Sequence, residues 1–411
     1  MLVKLSKGEG VKLYGPIAVT VKEGCISIHG RKTCKDERFV VHKTRNYIVE
    51  ALENCELEVS MLDESQIQHL EKEDPYWEKK NLVEKIVKEH RRIVVIGCTD
   101  CGKSAFVTYV FNAFLEKGKK PAVIDGDVGQ ANIGPPGFLS LGSSDKQVYW
   151  TSELSPVAMR FIGDIKPQYY THIICRELEF LANYATRLGY TSVIVDTDGW
   201  VGDEHAILYK QKLVETLRPD AIVVLGENLD KYFVQYSKLG ITIYSVRSPI
   251  HRKVRSREER RLLRSLRYRS YLEEAPLVKL SMNKVVVTGL PLLQGSELDV
   301  ELLSKFVEGK VLYASSLPGA LYIYGSVKNY NADELKKLGF EKVKVYQQGF
   351  EKSLYCAVEA PGGIDYPCVV EKLDFASREV LVKTKYIGEV SLLKISRIKL
   401  SENFLEEYVE V

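Results

Sequence analysis

Residues 97–104 are Gly97-Cys98-Thr99-Asp100-Cys101-Gly102-Lys103-Ser104, which has the spacing G-x-x-x-x-G-K-[ST]. The preceding residues, 92–96, are an apolar run typical of a buried strand, and residues 103–117 carry apolar side chains at helical spacing. A strand, a glycine-containing turn and a helix in this order indicate a phosphate-binding loop, because glycine lets backbone N–H groups come close to phosphate oxygens. We therefore predict that this loop and the adjoining Ala105 bind a nucleotide at the helix N-terminus.

Three side chains of the loop invite a chemical interpretation. Lys103 would supply a cation for the terminal phosphates, and the Ser104 hydroxyl would be a ligand of Mg²⁺. Cys98 and Cys101 form a C-x-x-C pair, the spacing of many zinc and redox sites. Because either role would compete with the nucleotide, we interpret this spacing as a coincidence.

The bulk composition indicates a globular protein of more than one domain. The chain has 411 residues, of which 45% are hydrophobic and 27% charged, and its net charge is only +3. A single core rarely serves a chain of this length, so we expect two or three domains. The eight cysteines show no disulfide framework, no apolar run has the length of a membrane span, and no signal pattern is visible. We therefore expect a cytoplasmic protein that does not bind membranes.

The central part of the chain alternates between strand and helix patterns. This alternation predicts an α/β fold, a P-loop NTPase parallel sheet with helices on both faces. The predicted strands are 92–96, 121–125, 191–196, 220–225 and 241–245. The predicted helices lie near 103–117, 168–188, 203–217 and 230–238.

Short strand patterns flank this central region on both sides. We predict an N-terminal small β-domain over 1–74, in which Glu23-Gly24 makes a hairpin turn. The central P-loop domain would cover 75–280, with a connecting helix near its start and a basic segment at 251–272. Residues 281–411 would form a C-terminal β-rich domain.

Two segments with carboxylates follow predicted strands, at the edge of the sheet where ligands bind. The first contains Asp125 and Asp127, and we favour Asp127 as a Mg²⁺ ligand or as the acceptor of a proton from an attacking hydroxyl. Both aspartates could instead only form turns beside glycine. The second segment, Asp196-Thr197-Asp198-Gly199-Trp200, offers Asp196 as the usual metal-associated carboxylate. Its Trp200 would either cap the core or stack on a nucleobase.

The basic segment is the strongest local charge feature of the sequence. Residues 251–269 contain nine Lys or Arg and two Glu, so the remainder of the chain is net acidic. Arg257, Arg260, Arg261 and Arg264 are three or four residues apart and share one helical face. An exposed basic helix is one interpretation; we favour a lid whose arginines bind phosphate oxygens and neutralise charge during transfer.

Together these segments resemble the polynucleotide 5′-hydroxyl kinase family. That family includes the kinase subunit of the eukaryotic messenger-RNA cleavage factor, ribosomal-RNA-processing kinases and archaeal RNA kinases. The phosphate loop, Asp127-Val128-Gly129-Gln130, Phe161 to Pro167, Thr197 to Trp200 and the arginines from Arg260 to Arg269 are similar to its motifs, in the same order along the chain. One departure is Ala105, where many members have a hydroxyl residue.

The resemblance implies a role for each matched residue. Residues 97–104 would bind the phosphates of ATP, with Ser104 and Asp127 near Mg²⁺ and Gln130 near the reacting phosphate. Asp127 would activate the 5′-hydroxyl of RNA, and Arg260, Arg261 and Arg264 would close over the γ-phosphate. Thr197, Gly199 and Trp200 would hold the terminal nucleotide of the substrate, and adenine would lie between the N-terminal β-domain and the central sheet.

The function expected on this basis is ATP-dependent phosphorylation of RNA 5′ ends in RNA processing, with Mg²⁺ as the divalent cation. Phosphorylation of DNA stays open, as does any partner protein. Because some family members bind ATP only as assembly subunits, an ATP-bound scaffold of an RNA-processing complex is the alternative. A nucleotide-switch ATPase or GTPase is disfavoured, because residues 225–230 only poorly imitate the base-recognition motif of GTPases.

Overall fold

The computed structural model describes residues 1–226, 228–247 and 255–410. Glu227, in the segment compared with a GTPase motif, lies outside the described residues. So do positions 251–254 of the basic segment, which include Arg252 and Lys253.

The N-terminal strands form two antiparallel sheets, with orders β1-β8-β3-β6 and β5-β4-β7-β2-β9. In β3, Ile17, Val19 and Val21 are buried and alternate with more exposed residues, so one face of the strand packs on the core. The nine strands are β1 (Leu2–Leu5), β2 (Gly10–Tyr14), β3 (Ile17–Glu23), β4 (Cys25–Ile28), β5 (Arg31–Cys34), β6 (Arg38–Val41), β7 (Asn46–Ala51), β8 (Cys55–Ser60) and β9 (Ile67–His69).

Two sequence-based expectations are wrong, one for this region and one for the cysteines of the whole chain. Glu23-Gly24 does not close a hairpin, because β3 and β4 belong to different sheets and the turn passes the chain from one to the other. The cysteines are also not all unpaired, since disulfides join Cys25 to Cys34 and Cys356 to Cys368. Each pair sits directly opposite on neighbouring antiparallel strands, a relationship that residue spacing alone did not reveal.

The central sheet has seven strands in the order β13-β12-β11-β14-β10-β15-β16. Five neighbouring strands run parallel to one another, namely β11, β14, β10, β15 and β16, and β12 is antiparallel to β11. The strands are β10 (Arg92–Gly97), β11 (Pro121–Gly126), β12 (Phe138–Ser143), β13 (Ser155–Phe161), β14 (Ser192–Thr197), β15 (Ala221–Leu225) and β16 (Thr242–Val246).

Four helices accompany this sheet: α1 (Pro75–Glu89), α2 (Lys103–Glu116), α3 (Thr171–Arg187) and α4 (Glu204–Leu217). Helix α2 buries Phe106, Val110 and Phe114 against the sheet, as their helical spacing predicts. The P-loop α/β fold class is confirmed. Residues 230–238 are two short 3₁₀ turns, Asp230–Tyr232 and Val234–Leu239, rather than the predicted α-helix. Strands β12 and β13 were not predicted.

The remaining strands form the predicted C-terminal β-rich part in two sheets, with orders β17-β25-β24-β23-β26-β18, where β27 pairs with β26, and β19-β20-β21-β22. The strands are β17 (Leu277–Ser281), β18 (Val286–Thr288), β19 (Ser296–Glu297), β20 (Val307–Leu317), β21 (Ala320–Tyr330), β22 (Lys342–Gln347), β23 (Leu354–Ala360), β24 (Ile364–Asp374), β25 (Glu379–Thr384), β26 (Leu392–Leu400) and β27 (Glu406–Tyr408). The helices are α5 (Arg257–Leu272), α6 (Val300–Leu303) and α7 (Ala332–Lys337).

The chain falls into two compact units. The first contains Met1–Gly134, Leu139–Ala158 and Pro167–Arg257, so the N-terminal strands and the central sheet belong together. The second contains Pro135–Phe138, Met159–Lys166 and Glu258–Val411, which includes nearly all of α5. The three-domain division at 74 and 280 stays a prediction.

Candidate nucleotide and acceptor site

The phosphate loop, residues 97–104, connects the end of β10 to the start of α2. Asp100 and Gly102 have φ angles of 57° and 93°, in the left-handed region, which lets the chain turn sharply around the position of a phosphate. A Cβ on Gly97 would lie 2.5 Å from the Leu225 carbonyl oxygen, so the close contact with β15 requires glycine there. Ala105 packs against the apolar core of the N-terminal strands, which favours a small apolar side chain over a hydroxyl.

Lys103 is oriented by the loop itself. Its Nζ donates to the carbonyl oxygens of Gly97, at 3.0 Å, and Cys98, at 2.8 Å. The Cys101 thiol donates to the same Cys98 carbonyl. A side-chain hydrogen bond with Cys98, together with burial, raises the pKa of Cys101. Among the described residues, no group of three His, Cys, Asp or Glu side chains has the arrangement of a metal site. Cys101 lies in the apolar core of the central sheet, and Cys98 packs against that core.

The first aspartates of the two acidic segments lie side by side in the sheet. Asp125 and Asp196 are register partners on β11 and β14, and both are buried. Burial, reinforced by their mutual repulsion in the case of Asp125, raises the pKa of Asp125 to about 7. Burial likewise raises the pKa of Asp196 to about 6, although Lys103 and the Ser104 hydrogen bond oppose it.

The two partners differ in their hydrogen bonds. Asp125 Oδ2 accepts the backbone N–H groups of Asn132, at 2.5 Å, and Ile133, at 3.0 Å, so it organises the turn after β11. Asp196 Oδ2 accepts the Ser104 hydroxyl at 2.7 Å, while its buried Oδ1 has no hydrogen-bond partner among the described residues. An unsatisfied carboxylate oxygen beside the Ser104 hydroxyl fits a divalent cation, which prefers such oxygen ligands.

Asp127 is held by the turn that follows it. Its Oδ1 accepts the backbone N–H groups of Gly129, at 2.9 Å, and Gln130, at 2.8 Å. Burial and the charge of Asp198 raise the pKa of Asp127, against the effect of these hydrogen bonds. Both hydrogen bonds fall on one oxygen, so Oδ2 is the atom that can meet a ligand. A carboxylate with a raised pKa is a stronger base than an ordinary aspartate.

These residues surround a cavity of about 280 Å³ within the first unit. One side is formed by the phosphate loop and the strand ends, and the other by the N-terminal strands and the start of α1. The lining from the predicted site comprises Thr99, Asp100, Gly102, Lys103, Ser104, Ala105, Asp127, Gln130 and Thr197. The structure thus brings the phosphate loop and Asp127 to a common cavity.

The residues predicted to hold the acceptor nucleotide have three different environments. Thr197 is buried and its Oγ1 donates to the Val95 carbonyl at 2.9 Å, so its hydroxyl joins two strands of the sheet. Gly199 abuts the phosphate loop, because a Cβ there would lie 2.7 Å from both N and Cα of Thr99. Trp200 is half-buried, and its indole stacks on the Tyr209 ring with centroids 6.0 Å apart.

The predicted lid arginines lie on α5 in the second unit. Arg264 donates to the Glu406 carboxylate at 3.0 Å from Nε, and Arg261 donates to the Glu406 backbone carbonyl at 3.2 Å. Arg260 has a half-buried side chain on the same helix. These contacts show that Arg261 and Arg264 help to hold α5 on β27; closure of the three arginines over a γ-phosphate stays a prediction.

The sequence analysis missed several polar residues of the first unit. Asn132 links the site, since its side chain donates to Ser104 Oγ at 3.4 Å and accepts the Trp150 indole N–H at 3.1 Å. Helix α1, predicted only as a connection, lines the cavity with Tyr76 and Lys79. Burial lowers the pKa of Lys79 to about 8. One sequence signal could have pointed to Asn132: it lies in the same polar turn, residues 126–132, as Asp127.

The loop geometry and the cavity fit a nucleotide. Left-handed turns place the α2 N-terminus at the cavity, the Lys103 ammonium stands at the loop, and Ser104 with Asp196 offers oxygen atoms to a divalent cation. The fold and the site therefore define a P-loop nucleotide-binding protein. In the described part of the chain no helix has the length and apolar character that crossing a membrane requires.

Comparisons with known proteins narrow this class. Residues 97–274 match the family described as the mRNA cleavage and polyadenylation factor CLP1 P-loop. A polyribonucleotide 5′-hydroxyl-kinase of Pyrococcus furiosus is 27% identical over 330 residues, which cover 77% of this chain and 90% of the relative. Human polynucleotide 5′-hydroxyl-kinase NOL9 is 30% identical over 145 residues, 34% of this chain and 20% of that protein.

A solved structure of a Clp1p–Pcf11p complex agrees with the fold. Its matched chain has a TM-score of 0.63 at 15% identity, and the match covers 97% of each chain. The resemblance of this protein to the polynucleotide 5′-hydroxyl kinase family is thus confirmed.

Proposed function

We propose that this protein transfers the γ-phosphate of ATP to the 5′-hydroxyl end of RNA. The observation that carries the proposal is that Asp127 lines the same cavity as Lys103 and Ser104. A phosphate loop alone supports nucleotide binding; a carboxylate with a raised pKa beside it supplies a base for a hydroxyl nucleophile. The relatives named as polyribonucleotide 5′-hydroxyl kinases support the same reaction.

The phosphate loop would orient the donor. Its backbone N–H groups and Lys103 bind the phosphates, and the helix N-terminus adds favourable electrostatic potential. The adenine would occupy the side of the cavity lined by the N-terminal strands and α1, where Arg45 and His29 contribute side chains. Bound Mg²⁺, held by Ser104 and a carboxylate, would neutralise phosphate charge.

Asp127 would orient the acceptor and take its proton. The 5′-hydroxyl donates to Asp127 Oδ2, and the proton passes to this carboxylate as the oxygen attacks the γ-phosphorus in line. The bond between the γ-phosphorus and the β–γ bridging oxygen breaks in the same step, and ADP leaves. Gln130 lies three residues along and is held by the same Asp127 carboxylate, so it can contact the transferring group. Most of the catalysis would come from positioning and from charge stabilisation, including the arginines of α5.

The direct test is incubation of the purified protein with γ-labelled ATP, Mg²⁺ and matched 5′-hydroxyl RNA and DNA oligomers. We expect label on the 5′ end of the RNA; the DNA lane decides whether DNA is also a substrate. Asp127→Ala should bind ATP normally and transfer no label, and Asp145→Ala, at an exposed loop position, is the matched control. Wild-type protein that retains ATP unconsumed beside 5′-hydroxyl RNA would support the scaffold alternative instead. The predicted cytoplasmic location accompanies this proposal.

A further inference from the structure

A buried lysine stands below the segment predicted to hold the acceptor. Lys210, on α4, has a fully buried side chain, and its Nζ donates to Asp198 Oδ2 at 2.6 Å. Asp198 is itself buried and also accepts the Tyr209 hydroxyl, at 3.0 Å, on the same oxygen. Two adjacent residues of one helix therefore fix one carboxylate oxygen.

The other oxygen of Asp198 shapes the chain above it. Oδ1 accepts the backbone N–H of Trp200 at 2.9 Å, which closes the turn in residues 197–203, here called the acceptor loop. The Trp200 indole lies on the Tyr209 ring at an interplanar angle of 28°, and its N–H donates to Asp203 at 2.6 Å. Asp203 in turn caps the N-terminus of α4. The acceptor loop is thus attached to α4 at both ends and through its aromatic side chain.

The position of this loop matters for both halves of the cavity. Gly199 lies against Thr99 with no room for a side chain, so a displacement of the acceptor loop must press on the phosphate loop or open a gap beside it. Thr99 is one of the cavity residues. An anchor of the acceptor loop therefore also fixes a direct neighbour of the phosphate loop.

Stability alone does not account for a buried lysine here. Burial lowers the pKa of Lys210 against the pull of Asp198, which means that the ammonium is costly to place. A well-packed apolar pair of similar volume is often as stable as a buried ion pair. What the ion pair provides is a fixed direction for the Asp198 carboxylate.

We propose that Lys210 is a positioning residue for the 5′-hydroxyl substrate: through Asp198 it fixes the acceptor loop so that Trp200 forms a rigid platform for the terminal base. Lys210 is fully buried and is not one of the residues that line the cavity, so it would act only through Asp198. The proposal rests on the proposed function, because the acceptor loop that Lys210 anchors would hold the RNA substrate of that reaction.

The main experiment compares Lys210→Met with Lys212→Met. Lys212 lies two residues along α4, is mostly exposed and pairs with Glu215, so it is a matched lysine that does not contact the acceptor loop. In Lys210→Met we expect the KM for 5′-hydroxyl RNA to rise about tenfold, within the range that loss of a base-stacking platform produces. The KM for ATP should change less than the KM for RNA, and Lys212→Met should match the wild type in both.

Two further variants keep the proposal falsifiable if Lys210→Met folds poorly. Tyr209→Phe retains the stacking ring and loses only the hydroxyl bonded to Asp198, so the KM for RNA should rise by about twofold to tenfold, the range that corresponds to the loss of one typical hydrogen bond. The double variant Asp198→Asn with Lys210→Met removes the unpaired charge and keeps an acceptor for the Trp200 N–H. In this double variant the KM for RNA should return most of the way from the Lys210→Met value to the wild-type value.

The positioning role would be overturned if Lys210→Met and Tyr209→Phe both kept the wild-type KM for RNA and differed from the wild type only in the amount of active protein. Failure of the double variant to recover would also overturn it, since the effect would then not run through Asp198. Binding of a fluorescent 5′-hydroxyl oligonucleotide, measured by anisotropy, separates this proposal from the kinase assignment. Wild-type protein that binds the oligonucleotide without transferring phosphate refutes the kinase only, and weaker binding by Lys210→Met than by Lys212→Met still supports the anchor.

Discussion

Two segments with the same spacing, Asp125-Gly126-Asp127 and Asp196-Thr197-Asp198, end neighbouring strands in register. Their first aspartates are both buried with raised pKa values, yet their second aspartates differ. Within the described ranges, the Asp127 carboxylate accepts hydrogen bonds only from backbone N–H groups of its own turn, whereas Asp198 is paired with Lys210 and Tyr209 in the interior. Identical sequence spacing thus produces one carboxylate available for chemistry and one committed to holding the chain.

The largest expected effect is on the rate of phosphate transfer, which should depend on Asp127 as the general base far more than on Asp198. Asp127→Asn should lower the rate of phosphate transfer about 10²- to 10⁴-fold, because a general base is lost, while the carboxamide oxygen still accepts the turn N–H groups. The measurement is steady-state transfer from labelled ATP, with thermal unfolding as the control for folding. A variant that transfers at the wild-type rate would remove Asp127 from the role of base.

The second prediction concerns stability. Asp198→Asn leaves the Lys210 ammonium buried opposite a neutral amide, and breaking a buried ion pair by removing one partner costs about 3–5 kcal/mol. Asp127→Asn should cost much less in the same denaturant titration, because Asp127 has no cationic hydrogen-bond partner among the described residues. Equal losses of unfolding free energy in the two variants would contradict the contrast drawn above.

A third prediction tests the close approach between the acceptor loop and the phosphate loop. Gly199→Ala would force a Cβ into the backbone of Thr99, and such overpacking costs about 1–3 kcal/mol. The KM for ATP should rise as well, because the displaced partner is part of the phosphate loop. Gly202→Ala is the matched control in the same loop, since a Cβ there meets no atom within 4 Å. Indistinguishable behaviour of the two variants would show that the loops do not press on one another.

The smallest expected effect concerns how the free energy of unfolding depends on pH. Asp125 and Asp196 have pKa values raised by burial, so acidification favours the folded state through them, whereas His29 on the cavity wall has the opposite sign. Burial lowers the pKa of His29 to about 4 from an unfolded value of 6.5, so the unfolded state binds more protons between these values. From pH 7 to pH 5 this group should lower the free energy of unfolding by about 2 kcal/mol.

His29→Asn keeps a donor for the Tyr149 carbonyl, which His29 Nδ1 contacts at 3.2 Å, and removes the titration. The loss of stability between pH 7 and pH 5, measured by denaturant titration, should be smaller in this variant than in the wild type. The same pH dependence in both proteins would mean that His29 does not titrate as its burial requires.

The sequence predicted the parallel sheet and the phosphate loop because both depend on local patterns. Apolar runs and helical spacing located β10, β11, β14, β15, β16 and α2 to within one or two residues. Strand β13 was missed because Ser155 and Pro156 at its start interrupt the apolar pattern. Residues 230–238 were predicted as a helix because a single apolar period does not distinguish α from 3₁₀ turns.

The site was predictable only where one residue type has one physical use. Gly97 and Lys103 fall in this group. The carboxylate of Asp127 after a strand end allowed three uses, as a metal ligand, a proton acceptor or a turn former, so its role stays a prediction. The hydroxyl of Thr197 could not be assigned, because its bond to the Val95 carbonyl depends on which neighbouring strand lies beside it. Lys210 was equally hidden, since a lysine within an amphipathic helix looks exposed until the partner Asp198 is known.

The N-terminal strands, together with the start of α1, build one wall of the cavity. A fragment starting at Arg92 would retain every motif that suggests kinase activity and would pass any motif search as complete. It would nevertheless lack one wall of the cavity, and Ala105 and Trp150 would lose the apolar partners that now cover them. For this architecture, motif content is a poor guide to where a functional fragment can begin.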